Sequence, residues 1–285
     1  MLGRITLALF FLLLVWGNLV AGMEAGLGCP DWPLCHGQVV PHYRWDTFME
    51  FGHRVIAATA TLCLLVLSHI RFRSYRGGAK AVPIAALCLI AVEVVLGGLV
   101  VLMELPVQLT TIHFMIGLGI FILVFYMAQF DGEMAVPRAA VHGPAAVYLG
   151  IGALIFLQAA LGAYVRHSGA GLACPDFPYC QGSLLPRMTS GAVMAHYTHR
   201  VLAVVILLTA AALYASTALD MRFRINRGLA LSLLALSAAQ AAAGASVVLT
   251  GLYYPTTAAH LAVALCMLLV TALMWTRESG REASS

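Results

Sequence analysis

The chain has 285 residues, 61% hydrophobic and 10% charged, where an ordinary soluble domain has about 45–50% apolar and about 25% charged residues. These proportions exclude a soluble globular enzyme and an intrinsically disordered chain. A net charge of +4 is too small to imply nucleic acid, so the lipid bilayer is the partner that composition points to.

A helix needs about 20 mostly apolar residues to cross the hydrocarbon core. Eight such stretches follow one another, approximately 5–23, 48–70, 81–103, 109–130, 144–165, 192–219, 229–249 and 257–276. Their lengths and their lack of polar alternation predict helices rather than barrel strands. The first, with Arg4 ahead of an apolar run and small residues near Ala21 and Gly22, has signal-peptide features. It is nevertheless expected to be retained, because the repeat described next gives it a partner later in the chain. With the N-terminus inside, the cytoplasmic connections collect Arg4, Arg71, Arg73, Arg76, Lys80, Arg138, Arg222, Arg224, Arg227, Arg277 and Arg281, eleven of sixteen basic residues. Arg44, Arg54, Arg166, Arg187 and Arg200 belong to the other side. The bias predicts cytoplasmic N- and C-termini.

The sequence is written twice. Residues 25–35 (AGLGCPDWPLC) return as 170–180 (AGLACPDFPYC), His53-Arg54-Val55 returns as His199-Arg200-Val201, and Thr110 to His113 is echoed by Thr257 to His260. The offset drifts from 145 to 147, one residue more in each interval of the second copy. Four spans per copy give both copies the same orientation, a parallel repeat. The expected fold is therefore an all-α membrane protein of eight transmembrane helices. They would form two tandem four-helix bundles with pseudo-twofold symmetry along the membrane normal. The expected divisions are an N-terminal bundle over 1–130 with an outer loop at 24–46, a cytoplasmic linker over 131–143, and a C-terminal bundle over 144–285 with an outer loop at 166–191.

Of ten histidines, His36, His42 and His167 fall in outer loops and His69 and His142 on the cytoplasmic side, where solvation is the simplest account. His53, His113, His199 and His260 differ. Each sits a few residues inside an even-numbered span that begins on the outer side, at a depth of roughly 5–10 Å. Two imidazoles at one depth within one apolar bundle suit the two axial positions of a haem iron. Two histidines without a carboxylate or thiolate beside them fall short of the four ligands usual for zinc. Arg54 and Arg200, each one residue after a candidate ligand, need partners inside the membrane; haem propionates and snorkelling to the interface are both open.

Cys63, Cys88 and Cys266 lie within spans and read as small core residues. Cys29 with Cys35 and Cys174 with Cys180 lie in the outer loops, each pair enclosing a Pro-Asp-aromatic-Pro segment that turns the chain. The outer side permits disulfides, either as staples over the sites or as redox-active pairs. The copies then differ in their ionisable groups. Glu50 precedes His53 by one turn on the same helical face, whereas His196 holds that place before His199. A carboxyl near the membrane interior reads as functional, and Glu50 is the candidate for moving protons. Glu93 against Gln240 is a second difference, read as helix–helix hydrogen bonding.

Glu50-Phe-Gly-His-Arg54, His113, the Cys29–Cys35 loop, His199-Arg200 and His260 together, over essentially the whole chain, resemble the haem A synthase family. The resemblance implies oxidation of a ring methyl of haem O, through a hydroxymethyl stage, to the formyl group of haem A for terminal oxidases. It implies that His53 and His113 bind the substrate haem O, that His199 and His260 keep a haem b, and that Glu50 is the catalytic carboxylate. Arg54 and Arg200 are then candidate propionate partners. Expected partners are a haem O synthase (a farnesyltransferase) as supplier, an electron acceptor of unknown identity, and a terminal oxidase. The competing readings are a di-haem b electron-transfer protein, an outer-face thiol oxidoreductase and a haem transporter. A short Arg-containing N-terminus without an Arg/Ser-rich presequence favours a prokaryotic plasma membrane.

Overall fold

A computed structural model describes residues 1–282. The chain divides into two compact units, Met1–Pro137 and Arg138–Ser285, and eight of its helices are long and apolar enough to cross a membrane. In hydrocarbon only a helix or a closed barrel satisfies every backbone N–H and C=O, and among the described residues there is no strand.

The first unit contains α1 (Leu2–Gly22), α2 (Trp45–Ser74), α3 (Ala81–Leu102) and α4 (Val107–Gln129). Helix α1 packs against α2 and α4, and α3 packs against the same two, so the four helices close a ring in which α2 and α4 also meet across the diagonal. The second unit contains α5 (Gly143–His167), α6 (Gly191–Leu219), the short α7 (Met221–Arg224), α8 (Arg227–Leu249) and α9 (Tyr254–Glu282). Its ring is closed in the same way, with α5 and α8 each packed against both α6 and α9.

Helices α2 and α9 run several residues beyond the spans expected from hydrophobicity, because an apolar run marks the bilayer and not the helix end. The extra turns of α2 are polar and have work of their own. Arg71, buried, donates from Nε to Met127 O at 2.8 Å and from Nη1 to Asp131 O at 3.2 Å. It thereby satisfies carbonyls at the end of α4, where a cation also suits the helix dipole. Helix starts follow ordinary chemistry: Pro144 lies in the first turn of α5, and Ser190 caps α6 by accepting from Val193 N.

The outer loops are one design used twice. The Cys29–Cys35 and Cys174–Cys180 disulfides are formed, and both cysteines of each pair are buried. Inside the first ring Asp31 accepts the amides of His36 and Gly37 at 2.6 and 2.7 Å; inside the second Asp176 accepts those of Gln181 and Gly182 at 2.8 and 2.7 Å. The Gly37 amide, followed by that of His36, holds the Asp31 carboxyl below the ordinary carboxylate range, and Gly182 with Gln181 does the same for Asp176. A depressed folded-state pKa makes the contribution to loop stability complete above the ordinary carboxylate value and removes it as pH falls through the depressed one. Limited proteolysis of the outer loops should therefore show full protection down to the ordinary carboxylate value of about 4 and lose it only at more acid pH. Asp31→Asn should be cut faster already at neutral pH. Loss of protection between pH 5 and 7 would assign the effect to a histidine instead.

Candidate functional site

The four buried-face histidines occupy matched positions. His53 and His199 are the ninth residues of α2 and α6, and His113 and His260 the seventh of α4 and α9. At about 1.5 Å per residue each pair stands at nearly one level, on the two helices of a ring diagonal. His199 and His260 face each other with ring centres 6.4 Å apart and planes at 67°. His113 lies within electrostatic range of both His53 and Glu50. In all four imidazoles Nδ1 is buried without a hydrogen-bond partner.

Two further observations bear on what such a pair could hold. His199 and His260, with ring centres 6.4 Å apart, are close enough that both imidazoles would reach one haem iron held between them. Each of the four residues is half-buried although its Nδ1 is closed off. Among the described residues no group of three or more His, Cys, Asp or Glu side chains is gathered to hold a metal ion. The donor set is thus paired imidazole, which suits a haem.

The arginines have partners that sequence reasoning did not foresee. Arg54 donates from Nε to Glu50 Oε1 at 3.0 Å, from Nη1 to Asp31 O and Leu34 O at 2.8 and 2.7 Å, and from Nη2 to Cys29 O at 2.9 Å. Arg200 repeats this on Asp176 O, Tyr179 O and Cys174 O at 2.8, 2.7 and 2.6 Å. Of five guanidinium N–H donors four are used on Arg54, so its main work is to fasten the disulfide loop to the helix that carries His53. Neither snorkelling nor a propionate is needed to account for a cation at this depth. The signal was present in the sequence, since each arginine and its loop recur together.

His196, whose role the sequence left open, is also explained. Arg200 Nε donates to its Nε2 at 3.2 Å. An arginine only donates, so Nε2 accepts, while Nδ1 lies 3.1 Å from Ala170 O and 3.4 Å from Cys174 N. His196 is a buried neutral tether standing where Glu50 stands in the first unit. Glu50 is itself buried, 6% exposed, and its contact with Arg54 is an ion pair four residues apart on one helix.

Glu93 contacts a neighbouring helix, as expected, and its partner there is a candidate ligand: Oε1 comes within 3.2 Å of His113 Nδ1. In the second unit Gln240 Nε2 lies 3.3 Å from His260 Nε2. The spacing of 20 residues, Glu93 to His113 and Gln240 to His260, was the available clue. The first unit therefore has two carboxyls near its histidine pair and the second has none in those places. Of the histidines read as solvated, His36, His42, His69 and His142 are exposed and His167 is half-buried.

The family model described as cytochrome oxidase assembly protein, COX15-CtaA, matches residues 1–272. The chain belongs to the COX15-CtaA family. Relatives of this chain include the "Heme A synthase" of Symbiobacterium thermophilum, 33% identical over 251 residues, covering 84% of this chain and 81% of the relative. Another, of the same name, is from Halalkalibacterium halodurans, 32% identical over 214 residues and 72% of each chain. That of Geobacillus kaustophilus is 29% identical over 265 residues, 90% of this chain and 83% of the relative. The COX15-CtaA match runs through both units and includes all four histidines, Glu50 and both disulfide loops.

Proposed function

We infer that this protein is a haem A synthase, which oxidises a ring methyl of haem O to a formyl group and supplies terminal oxidases. The observation that carries this reading is the pair of histidines on each ring diagonal, within a chain of the COX15-CtaA family. His53 and His113 would hold the substrate haem O, and His199 and His260 a resident haem b. When bound, haem b supplies one-electron redox chemistry.

The chain's own residues divide the remaining work. Oxidation of a methyl group releases protons, and Glu50 is the carboxylate one turn from His53 that can take one. Arg54 Nε fixes Glu50 Oε1, so the carboxylate is oriented before substrate arrives. The same guanidinium ties down the Cys29–Cys35 loop, which keeps the loop over the outer end of the site. In the second unit His196 makes the corresponding contact without a carboxylate, and this supports a chemically quieter site there. Eight apolar helices make this a multi-pass membrane protein; the plasma membrane of a prokaryote, with both termini cytoplasmic, agrees with the distribution of arginine and lysine. A haem O synthase is the expected supplier of substrate.

The direct test is to extract and separate the haems of purified protein made in cells that also produce haem O. Haem b together with haem O, its hydroxymethyl derivative or haem A is expected. Haem b alone under those conditions would favour plain electron transfer.

A further inference from the structure

Each of the four histidines is backed by a glycine on the adjacent helix of its ring. A Cβ added at Gly17 of α1 would stand 3.1 Å from His53 Cε1, and one at Gly97 of α3 would stand 3.3 Å from His113 Cε1. In the second unit a Cβ at Gly162 of α5 would stand 2.9 Å from His199 Cε1, and one at Gly244 of α8 would stand 3.1 Å from His260 Cε1. No other glycine whose surroundings are described meets a histidine ring. The offsets, 145 from Gly17 to Gly162 and 147 from Gly97 to Gly244, are those of the repeat itself. Glycine is a poor helix former, so local helix stability does not explain its use at four equivalent places.

We propose that Gly17, Gly97, Gly162 and Gly244 are positioning residues that set where each imidazole presents its metal-binding nitrogen. The proposal rests on the haem reading above and concerns how this chain meets that group. Cε1 lies between the two ring nitrogens, and the added Cβ would also come within 3.9 Å of Nε2 at Gly17, Gly97 and Gly244 and within 3.6 Å at Gly162. The obstructed atom is the far end of a side chain with two rotatable bonds. An alanine is therefore accommodated by turning the ring and not by parting the helices. The cost falls on ligand geometry, and a small displacement of a coordinating atom is costly because a metal bond tolerates only about 0.2 Å of error. The helices themselves gain, since alanine is the better helix former. Ligand binding and helix stability should thus move in opposite directions, which loss of folding would not produce.

The distances rank the effects. Gly162→Ala places Cβ closest to its ring and should weaken binding most. Gly97→Ala, with the longest distance, should weaken it least. Gly150, on α5 with Gly162 but with nothing within 4 Å of an added Cβ, is the control.

The experiment is titration of the full-length purified apoprotein with ferric haem b, followed by absorption and electron paramagnetic resonance. Gly162→Ala is expected to weaken haem b binding by about tenfold or more and to lose the low-spin bis-imidazole signature of the second unit, with helical circular dichroism maintained. Gly244→Ala should show a smaller loss and Gly150→Ala none. Wild-type affinity with an unshifted spectrum in Gly162→Ala overturns the proposal, as does an equal loss in Gly150→Ala. If Gly162→Ala does not accumulate as folded protein, Gly244→Ala decides, and unchanged binding there overturns the proposal. A wild-type protein that takes up haem b without a bis-imidazole spectrum overturns the haem reading itself, which separates that failure from this one.

Discussion

Glu50→Gln is expected to leave haem bound and to slow haem A formation by about two to four orders of magnitude, the usual worth of a placed general base. Glutamine keeps the size of the side chain and an oxygen that can accept from Arg54 Nε, a contact of 3.0 Å in the wild type. The guanidinium then keeps its hold on the carbonyls of Cys29, Asp31 and Leu34, so the loop and His53 stay in place. What disappears is the capacity to take a proton. The extracted haem should accordingly shift towards haem O with total haem per chain unchanged. Alanine is the less informative substitution, because it also removes the acceptor of Arg54 Nε and leaves a void beside His53, mixing a packing change with the loss of the carboxylate. His196→Gln is the matched control in the second unit: it removes an imidazole from the corresponding position without removing a carboxylate, and turnover should stay within about threefold. A Glu50→Gln protein that makes haem A at the wild-type rate would exclude Glu50 as the base.

Much of this architecture is legible in the sequence because a bilayer simplifies the problem. Apolar length marks each span and duplication marks which spans correspond, so the all-helical class and the levels of His53, His113, His199 and His260 follow from residue order alone. Side-chain pairing across helices is not written in hydrophobicity. Arg54 shows why: depth in the membrane requires a partner, but a propionate, solvent and a loop carbonyl satisfy that requirement equally until the loop is folded. The disulfide ring turns its carbonyls inward, and only then is the third choice visible. Glu93 was read too generally for a related reason. Its 20-residue spacing from His113 crosses a turn in which Glu104 and Leu105 both adopt left-handed backbone, at φ 59° and 61°, and counting residues does not show how such a turn registers one helix on the next. The glycines behind the histidines escaped notice because glycine is common in membrane helices. Their meaning lies in what a methyl group would strike.

His53→Ala and His199→Ala are expected to abolish haem A formation alike and to differ in what remains bound. Each histidine pair lies within one compact unit, on helices that close their own ring, so loss of one ligand should be felt mainly within its own unit. His53→Ala should keep haem b with its low-spin spectrum and fail to retain haem O. His199→Ala should lose most of the haem b, while haem O supplied to it should still bind at His53 and His113. Loss of an axial imidazole removes a metal bond outright, so each effect should exceed that of any glycine substitution, with binding weakened by at least about a hundredfold. The pattern also tests the division of labour between units. The first unit combines its imidazoles with Glu50 and Glu93, whereas the second surrounds the same arrangement with the uncharged His196 and Gln240. A site that must turn over substrate needs a group that exchanges protons, and a site that keeps its haem is better without one. If His53→Ala loses haem b and His199→Ala loses haem O instead, the assignment of substrate to the first unit is reversed, and Glu50 would then stand beside the resident haem and away from the haem that is oxidised.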